Sequence, residues 1–371
     1  MATGEIAGLR ETCFAVGIKE LSAPAGSEIL SGQAWADVAA KSFTRKRQAR
    51  EDGRRLGPTS GIAQLDASMD GECLPVGVTV ITGGPGSGKT ALALQAAVQN
   101  KNICPVLYVS AEMGTDVVFH RLVANLTDTY IYKFSGKLSE QEYHEIVAQA
   151  LPDMSHILHI KDRNEFITVD ALRATAIAQK GDHEFMLIVI DSFHSWAIAD
   201  VTKEEERELF ERLLRELGAL AEELNASIML IAEQNRASAQ VAGLSSAAGT
   251  RKFEYCAELV INLERHHPDE EEETDRGKPR GKKSQKPTYT RAVTGNPENR
   301  RAVRLGVWKN RHGASDFYIE TEFIGQKMRF EEAVGANSVS VEEAIKQFQD
   351  RPVFGDTSHC RLSRVNVDWR N

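Results

Sequence analysis

Residues 78–99 read VTVITGGPGSGKTALALQAAVQ. The first five are all β-branched, the form of a strand covered on both faces. The last nine are rich in Ala, Leu and Gln with no breaker, the form of a helix. Between them Gly83, Gly84, Pro85, Gly86, Ser87, Gly88, Lys89 and Thr90 fit the pattern G-x-x-x-x-G-K-[ST]. Glycines let the backbone curl until several N–H groups point at one anion, and the helix start adds partial positive charge. Lys89 is placed to reach the β- and γ-phosphates of a nucleotide, and the Thr90 hydroxyl to ligate Mg²⁺. The other reading of the loop is a plain glycine turn. The strand before it and the helix after it argue for nucleotide binding.

The same alternation continues outward. GVTVITG (77–83), CPVLYVS (104–110), HILHI (156–160), FMLIVID (185–191), ASIMLIAE (226–233) and AELVINLE (257–264) are short apolar runs. Strands buried within a parallel sheet read this way. Helical stretches lie between them. In ELFERLLRELGALAEELN (208–225), Phe210, Leu213, Leu214, Leu217 and Leu220 recur at helical spacing. Alternating strands and helices predict an α/β fold with a doubly wound, mostly parallel sheet. AVRLGVWKNR, DFYIETEF and KMRFEE, within 302–332, then follow without helices and predict C-terminal antiparallel strands.

Composition sets the expected boundaries. Residues 1–57 are weakly patterned and close with AAKSFTRKRQAREDGRRLG, too poor in apolar residues for a core. They read as an arm or linker carrying an exposed helix. Residues 58–332 form the α/β domain. An acidic run, Asp269 to Glu273, and then RGKPRGKKSQK mark a mobile charged loop inserted over 265–302. Residues 333–371 read as one short helix near SVEEAIKQF and a loose tail.

The chain has 371 residues, of which 42% are hydrophobic, and 45 Lys and Arg against 53 acids leave a net charge of −8. That balance excludes a basic nucleic-acid coat, so any nucleic acid must be met by a local patch. Five cysteines, Cys13, Cys73, Cys104, Cys256 and Cys360, form no CxxC and no pairing with nearby histidines. They read as reduced thiols of a cytoplasmic protein, without zinc. No apolar run reaches membrane-spanning length, and no secretory signal is visible.

Several polar residues emerge from strand ends. Asp191 closes FMLIVID, where an acid beside a phosphate loop suits a Mg²⁺-water ligand; a turn or cap aspartate is the alternative. Glu112 follows VLYVS, placed to activate an attacking water; a solvated glutamate at a helix start is the alternative. Gln234, after LIAE, can hydrogen-bond a γ-phosphate or its water; a surface amide is equally consistent with the spacing. Much later, VWKNRHG (307–313) brings Lys309 and Arg311 two apart, on one side of a strand end. Two cations there serve an anion, or simply discourage edge pairing.

Together these stretches resemble the RecA-like ATPases, and most closely the ATPase domain of DnaB-type replicative helicases, from about Gly57 to Phe330. VLYVSAEMGTDVVFHRL is similar to that family's strand, catalytic glutamate and downstream arginine, here Glu112 and Arg121. LIVIDS resembles its Walker B, LIAEQNR its sensor strand, and WKNRHG its K-x-R-x-G element. The resemblance implies a hexameric homo-oligomeric ring with ATP and Mg²⁺ held between subunits. Lys309 and Arg311 of one subunit would then reach the γ-phosphate bound by the next. It implies single-stranded DNA in the central channel, on loops near 194–204 and 236–252, with Arg236, Arg251 and Lys252 as contacts. It leaves any loader or primase unspecified.

This sequence departs from the family in places. SFHSW, with Ser192, His194 and Trp196, follows Asp191 where aromatic and apolar residues are usual. The sensor strand is one residue shorter, the charged loop is unusual, and 57 residues are too few for a primase-binding domain of normal size. The expected function is an ATP-driven DNA helicase or translocase acting in replication. The alternatives are a RecA- or RadA-like recombination ATPase and a KaiC-like regulatory ATPase.

Overall fold

A computed structural model describes residues 32–69, 73–161, 168–198, 206–233, 253, 255–265 and 298–332. Their strands are β1 Gly77–Gly83, β2 Val106–Ser110, β3 Ile157–Lys161, β4 Met186–Asp191, β5 Ala226–Ile231, β6 Leu259–Arg265, β7 Arg300–Asn310, β8 Phe317–Ile324 and β9 Arg329–Glu332. The six apolar runs became β1 to β6, with limits within two residues of those expected. They pair into one nine-stranded sheet in the order β3-β2-β4-β5-β1-β6-β7-β8-β9. Pairings among β1 to β6 are parallel. β7, β8 and β9 add on antiparallel.

Successive residues of the central strands point to opposite faces, so each strand feeds two cores. Ile81, Tyr108 and Val189 pack with Leu92 and Leu94 of helix Lys89–Gln99 and Leu122 of helix Thr115–Thr127. Val80, Leu107, Val109 and Ile190 pack on the other face with Leu172 of helix Val169–Lys180 and Leu213, Leu214 and Leu217 of helix Glu206–Leu224. Burial on both sides explains why these strands read as unbroken apolar runs. The five apolar residues picked out on helix Glu206–Leu224 are all buried.

Polar side chains tie distant segments to helix Lys89–Gln99. Asn100 accepts the Thr59 amide at 3.0 Å and donates to the Thr59 carbonyl at 3.0 Å. Gln95 donates to Gly61 O at 2.9 Å and accepts the Phe330 amide at 2.7 Å. The basic stretch before them forms helix Gly32–Glu51, beginning earlier than the quoted residues. It is fastened by Arg45 to Glu184 and buries Ala49, while Trp35, Val38 and Phe43 stay exposed. Among the described residues no helix is long and apolar enough to cross a membrane. The charged loop expected over 265–302 is shorter: Arg265 ends β6 and Arg300 begins β7, where strand pairing claims these residues. Residues 266–297, the loop 236–252 and the helix near 340–348 lie outside the described residues.

Candidate functional site

β1 delivers Gly83 at its end, and the helix that follows starts at Lys89. Gly88 has φ +106°, and a Cβ there would sit 2.6 Å from Cζ of Phe330, so only glycine fits the turn. Lys89 Nζ donates to Gly83 O at 2.8 Å and Gly84 O at 3.2 Å. Burial lowers the pKa of Lys89, opposed by the charges of Glu233, Asp191 and Glu112. Three carboxylates from three strand ends therefore surround one lysine.

Asp191 ends β4, level with Ser110 of β2 and Ile231 of β5. Its carboxylate is buried, which raises its pKa. Hydrogen bonds from Tyr108 and Thr90 work against that, the Glu112 charge reinforces it, and the Arg121 charge opposes it. The Tyr108 hydroxyl donates to Asp191 Oδ2 at 2.8 Å. Burial and the Asp191 charge hold that phenol well above its ordinary pKa, so it stays a donor.

Glu112 is exposed and anchored. Ser192 Oγ donates to its Oε1 at 2.6 Å and Ser195 Oγ at 2.9 Å. Ser192, one of the departures noted above, and Ser195 thus orient this acid. Arg121, on helix Thr115–Thr127, lies with Nη1 2.9 Å from Met113 Sδ. Gly83 to Thr90, Glu112, Arg121 and Asp191 therefore gather at the carboxyl end of the parallel strands, where ligands of open α/β sheets bind.

Lys309 and Arg311 lie elsewhere. Gly83 is level with Leu263, and Leu263 with Leu305. β7 runs antiparallel from there towards the start of β6, where Asn310 pairs with Leu259. Lys309 and Arg311 are therefore about 13 and about 20 Å farther along, at ~3.3 Å per residue, and out of reach of their own phosphate loop. The strand stops at Asn310, so Arg311 sits just beyond it. Both still address one segment: Lys309 Nζ donates to Ala257 O at 2.6 Å, and Arg311 Nη2 to Tyr255 O at 2.9 Å. Arg311 Nη1 also meets Glu258 Oε1 at 2.7 Å, and His312 Nε2 meets Oε2 at 2.9 Å.

Gln234, Arg236, Arg251 and Lys252 lie outside the described residues. Sequence reasoning passed over Tyr108, Ser195 and the charge of Glu233. Tyr108 carried a signal: a tyrosine inside an apolar strand needs a partner for its hydroxyl.

The oxygen donors fit a hard cation. The Thr90 hydroxyl and the Asp191 carboxylate are in contact, with Glu112 nearby. Among the described residues no three His, Cys, Asp or Glu side chains could cage a metal alone. A hydroxyl beside a carboxylate suits Mg²⁺, which takes few protein ligands and completes its shell with water and phosphate.

Residues 57–332 match the model of the DnaB-like helicase C terminal domain. The chain belongs to that family. Membership places this DnaB-like chain among the helicase-type NTPases. Solved structures agree on the fold. One, of an isolated ATPase domain, superposes with a TM-score of 0.63 at 18% identity, covering 82% of this chain and 100% of that one. Another, "The Structure Of A DnaB-Like Replicative Helicase And Its Interactions With Primase", gives 0.62 at 18%, covering 90% and 75%. No curated relative matches the DnaB-like chain at a significant level.

Proposed function

We propose that this chain is an ATP-hydrolysing DNA helicase or translocase that works as a ring, with ATP bound between neighbouring copies. The observation that carries the reading is the position of Lys309 and Arg311, one sheet length away from the loop of their own chain. A cation pair so placed can serve a phosphate only on another copy. The transition state of phosphoryl transfer spreads charge over the γ-phosphoryl oxygens, and cations supplied by a neighbour stabilise it.

Within one subunit, Gly83 to Gly88 cradle the phosphates and Lys89 moves from Gly83 O to the β- and γ-oxygens. Thr90 and Asp191 hold Mg²⁺, which when bound neutralises phosphate charge. Glu112, aimed by Ser192 and Ser195, accepts a proton from the attacking water. Arg121 and Gln234 complete the nucleotide contacts. Arg236, Arg251 and Lys252 contact single-stranded DNA in the channel, and the work of the ring is replication.

Mixing two defective variants tests this. Arg311→Ala should keep ATP binding and lose turnover by about a thousandfold or more, as loss of an arginine finger does. Lys89→Ala should lose nucleotide binding. A mixture should regain part of the activity, because one chain's intact loop then faces the other's intact finger. No recovery at any ratio, or full turnover by dilute monomers, overturns the shared site. Turnover that single-stranded DNA neither binds nor changes overturns the DNA motor.

A further inference from the structure

The outer surface of the phosphate loop is gripped by two arginines that the mechanism above does not use. Arg265, the last residue of β6, places Nη2 3.3 Å from both Pro85 O and Gly86 O. Arg301, near the start of β7, donates from Nη2 to Gly86 O at 2.7 Å. Lys89 already occupies Gly83 O and Gly84 O. Every carbonyl from Gly83 to Gly86 therefore meets a cationic donor.

A trans peptide carries its C=O and its N–H on opposite sides. Pro85 O shares a peptide with the Gly86 N–H, and Gly86 O with the Ser87 N–H. Donors fixed on the carbonyl side decide which way the amides face. The Ser87 amide is committed to Gly84 O at 3.1 Å. The Gly86 amide shares its peptide with Pro85 O, so Arg265 sets it, while Arg301 fixes the next peptide, whose Ser87 amide closes the turn onto Gly84 O.

Arg301 is itself braced. Its guanidinium lies 4.7 Å over the ring of Phe323. Phe323 stacks on Phe330 with centroids 4.8 Å apart, and Phe330 fills the space beside Gly88. Gln95 holds Phe330 through both backbone groups, at 2.7 and 3.1 Å. One stack thus pins the apex of the loop at Gly86 and props its base at Gly88. Setting Arg301 half-buried beside Arg265 costs Coulomb energy, and burial and that neighbour lower its pKa. A polyphosphate in the loop is the charge that offsets the pair.

We infer that Arg301 is a positioning residue for the nucleotide: stacked on Phe323, it holds Gly86 O and so orients the apex of the phosphate loop for binding. This rests on the reading that the loop holds nucleotide phosphates.

The test measures binding of fluorescently labelled ADP and ATP to the full chain, together with KM, kcat and melting temperature. Arg301→Gln should weaken binding of both nucleotides and raise KM about tenfold, the size of one lost charge-assisted hydrogen bond, with kcat within about twofold. Arg301→Lys keeps charge and stacking and should recover most of the loss. Arg304→Gln is the control, because Arg304 leaves the other face of β7 to pair with Glu320 and should not change binding. Binding by Arg301→Gln within twofold of the parent, or a fall in kcat alone, overturns the inference. So does a loss shared equally by Arg304→Gln, which would mark a general effect of damaging β7. If Arg301→Gln fails to fold, Arg301→Met, which keeps an unbranched stem over Phe323 and loses the donor, is read in its place: weaker binding of both nucleotides at a parental melting temperature supports the inference, and parental binding overturns it. Failure of the underlying reading looks different, since the parent would then bind no better than Lys89→Ala.

Discussion

Tyr108 and Asp191 sit on adjacent parallel strands, and the buried phenol donates to the buried carboxylate across 2.8 Å. The pair sets up a direct test. Tyr108→Phe removes one donor and leaves the ring in place. A hydrogen bond to a charged group contributes about 1.5–3 kcal/mol, so the ionised Asp191 becomes harder to maintain. The Mg²⁺ concentration for half-maximal turnover should rise about tenfold, with only a modest loss of melting temperature. An unchanged Mg²⁺ titration would sink this role for Tyr108.

Glu112 gives a second test. Its Oε1 takes both serine hydroxyls, and the rest of the residue is open to water. Ser192→Ala with Ser195→Ala frees the carboxylate to rotate. A positioned base contributes about 10²–10⁴ to rate, so losing its aim should lower kcat about 10- to 100-fold. Nucleotide affinity should hold, because neither serine touches the phosphate loop. Equal kcat in parent and double variant would show that the serines merely pack.

The proposed finger is held back in a single subunit. Arg311 gives one nitrogen to Glu258 and another to Tyr255 O. In the proposed assembly a phosphate oxygen must replace one of these. Glu258→Gln exchanges a charge-assisted bond for one of about half its strength. Turnover measured against protein concentration should reach half its maximum at a lower concentration than in the parent. A drop in turnover at every concentration would instead make Glu258 a guide for the guanidinium.

Gly88→Ala strains the loop twice, through its φ of +106° and through the Phe330 ring at 2.6 Å. Strained backbone of this kind costs about 1–3 kcal/mol. The expected outcome is a folded protein of lower melting temperature that binds no ATP by titration. ATP binding near the parental value would show that Phe330 yields and that the prop is soft.

Parts of this site were legible without coordinates, and their locality explains why. Gly83 to Thr90 encode a turn, a cation and a helix start within eight consecutive residues. The buried strands were legible because burial on both faces leaves no polar positions to interrupt them. Tyr108 looked like one more core residue, since its partner lies 83 positions away. Arg301 fell within the charged loop expected over 265–302, with Gly86 215 positions away. Lys309 and Arg311 were recognisable as a pair, yet nothing local says which end of the sheet they occupy.

The sequence by itself determined the strand-loop-helix at Gly83 to Thr90, the apolar strands, their alternation with helices, and the acids at strand ends. Each of these depends on neighbours within a few residues. Only the tertiary structure decided the strand order, the register of β6 against β7, and with it the distance of Arg311 from its own loop. It also decided the grips of Tyr108 on Asp191 and Arg301 on Gly86. Those depend on which strands lie side by side, and pairing between distant segments is settled by packing of the whole sheet.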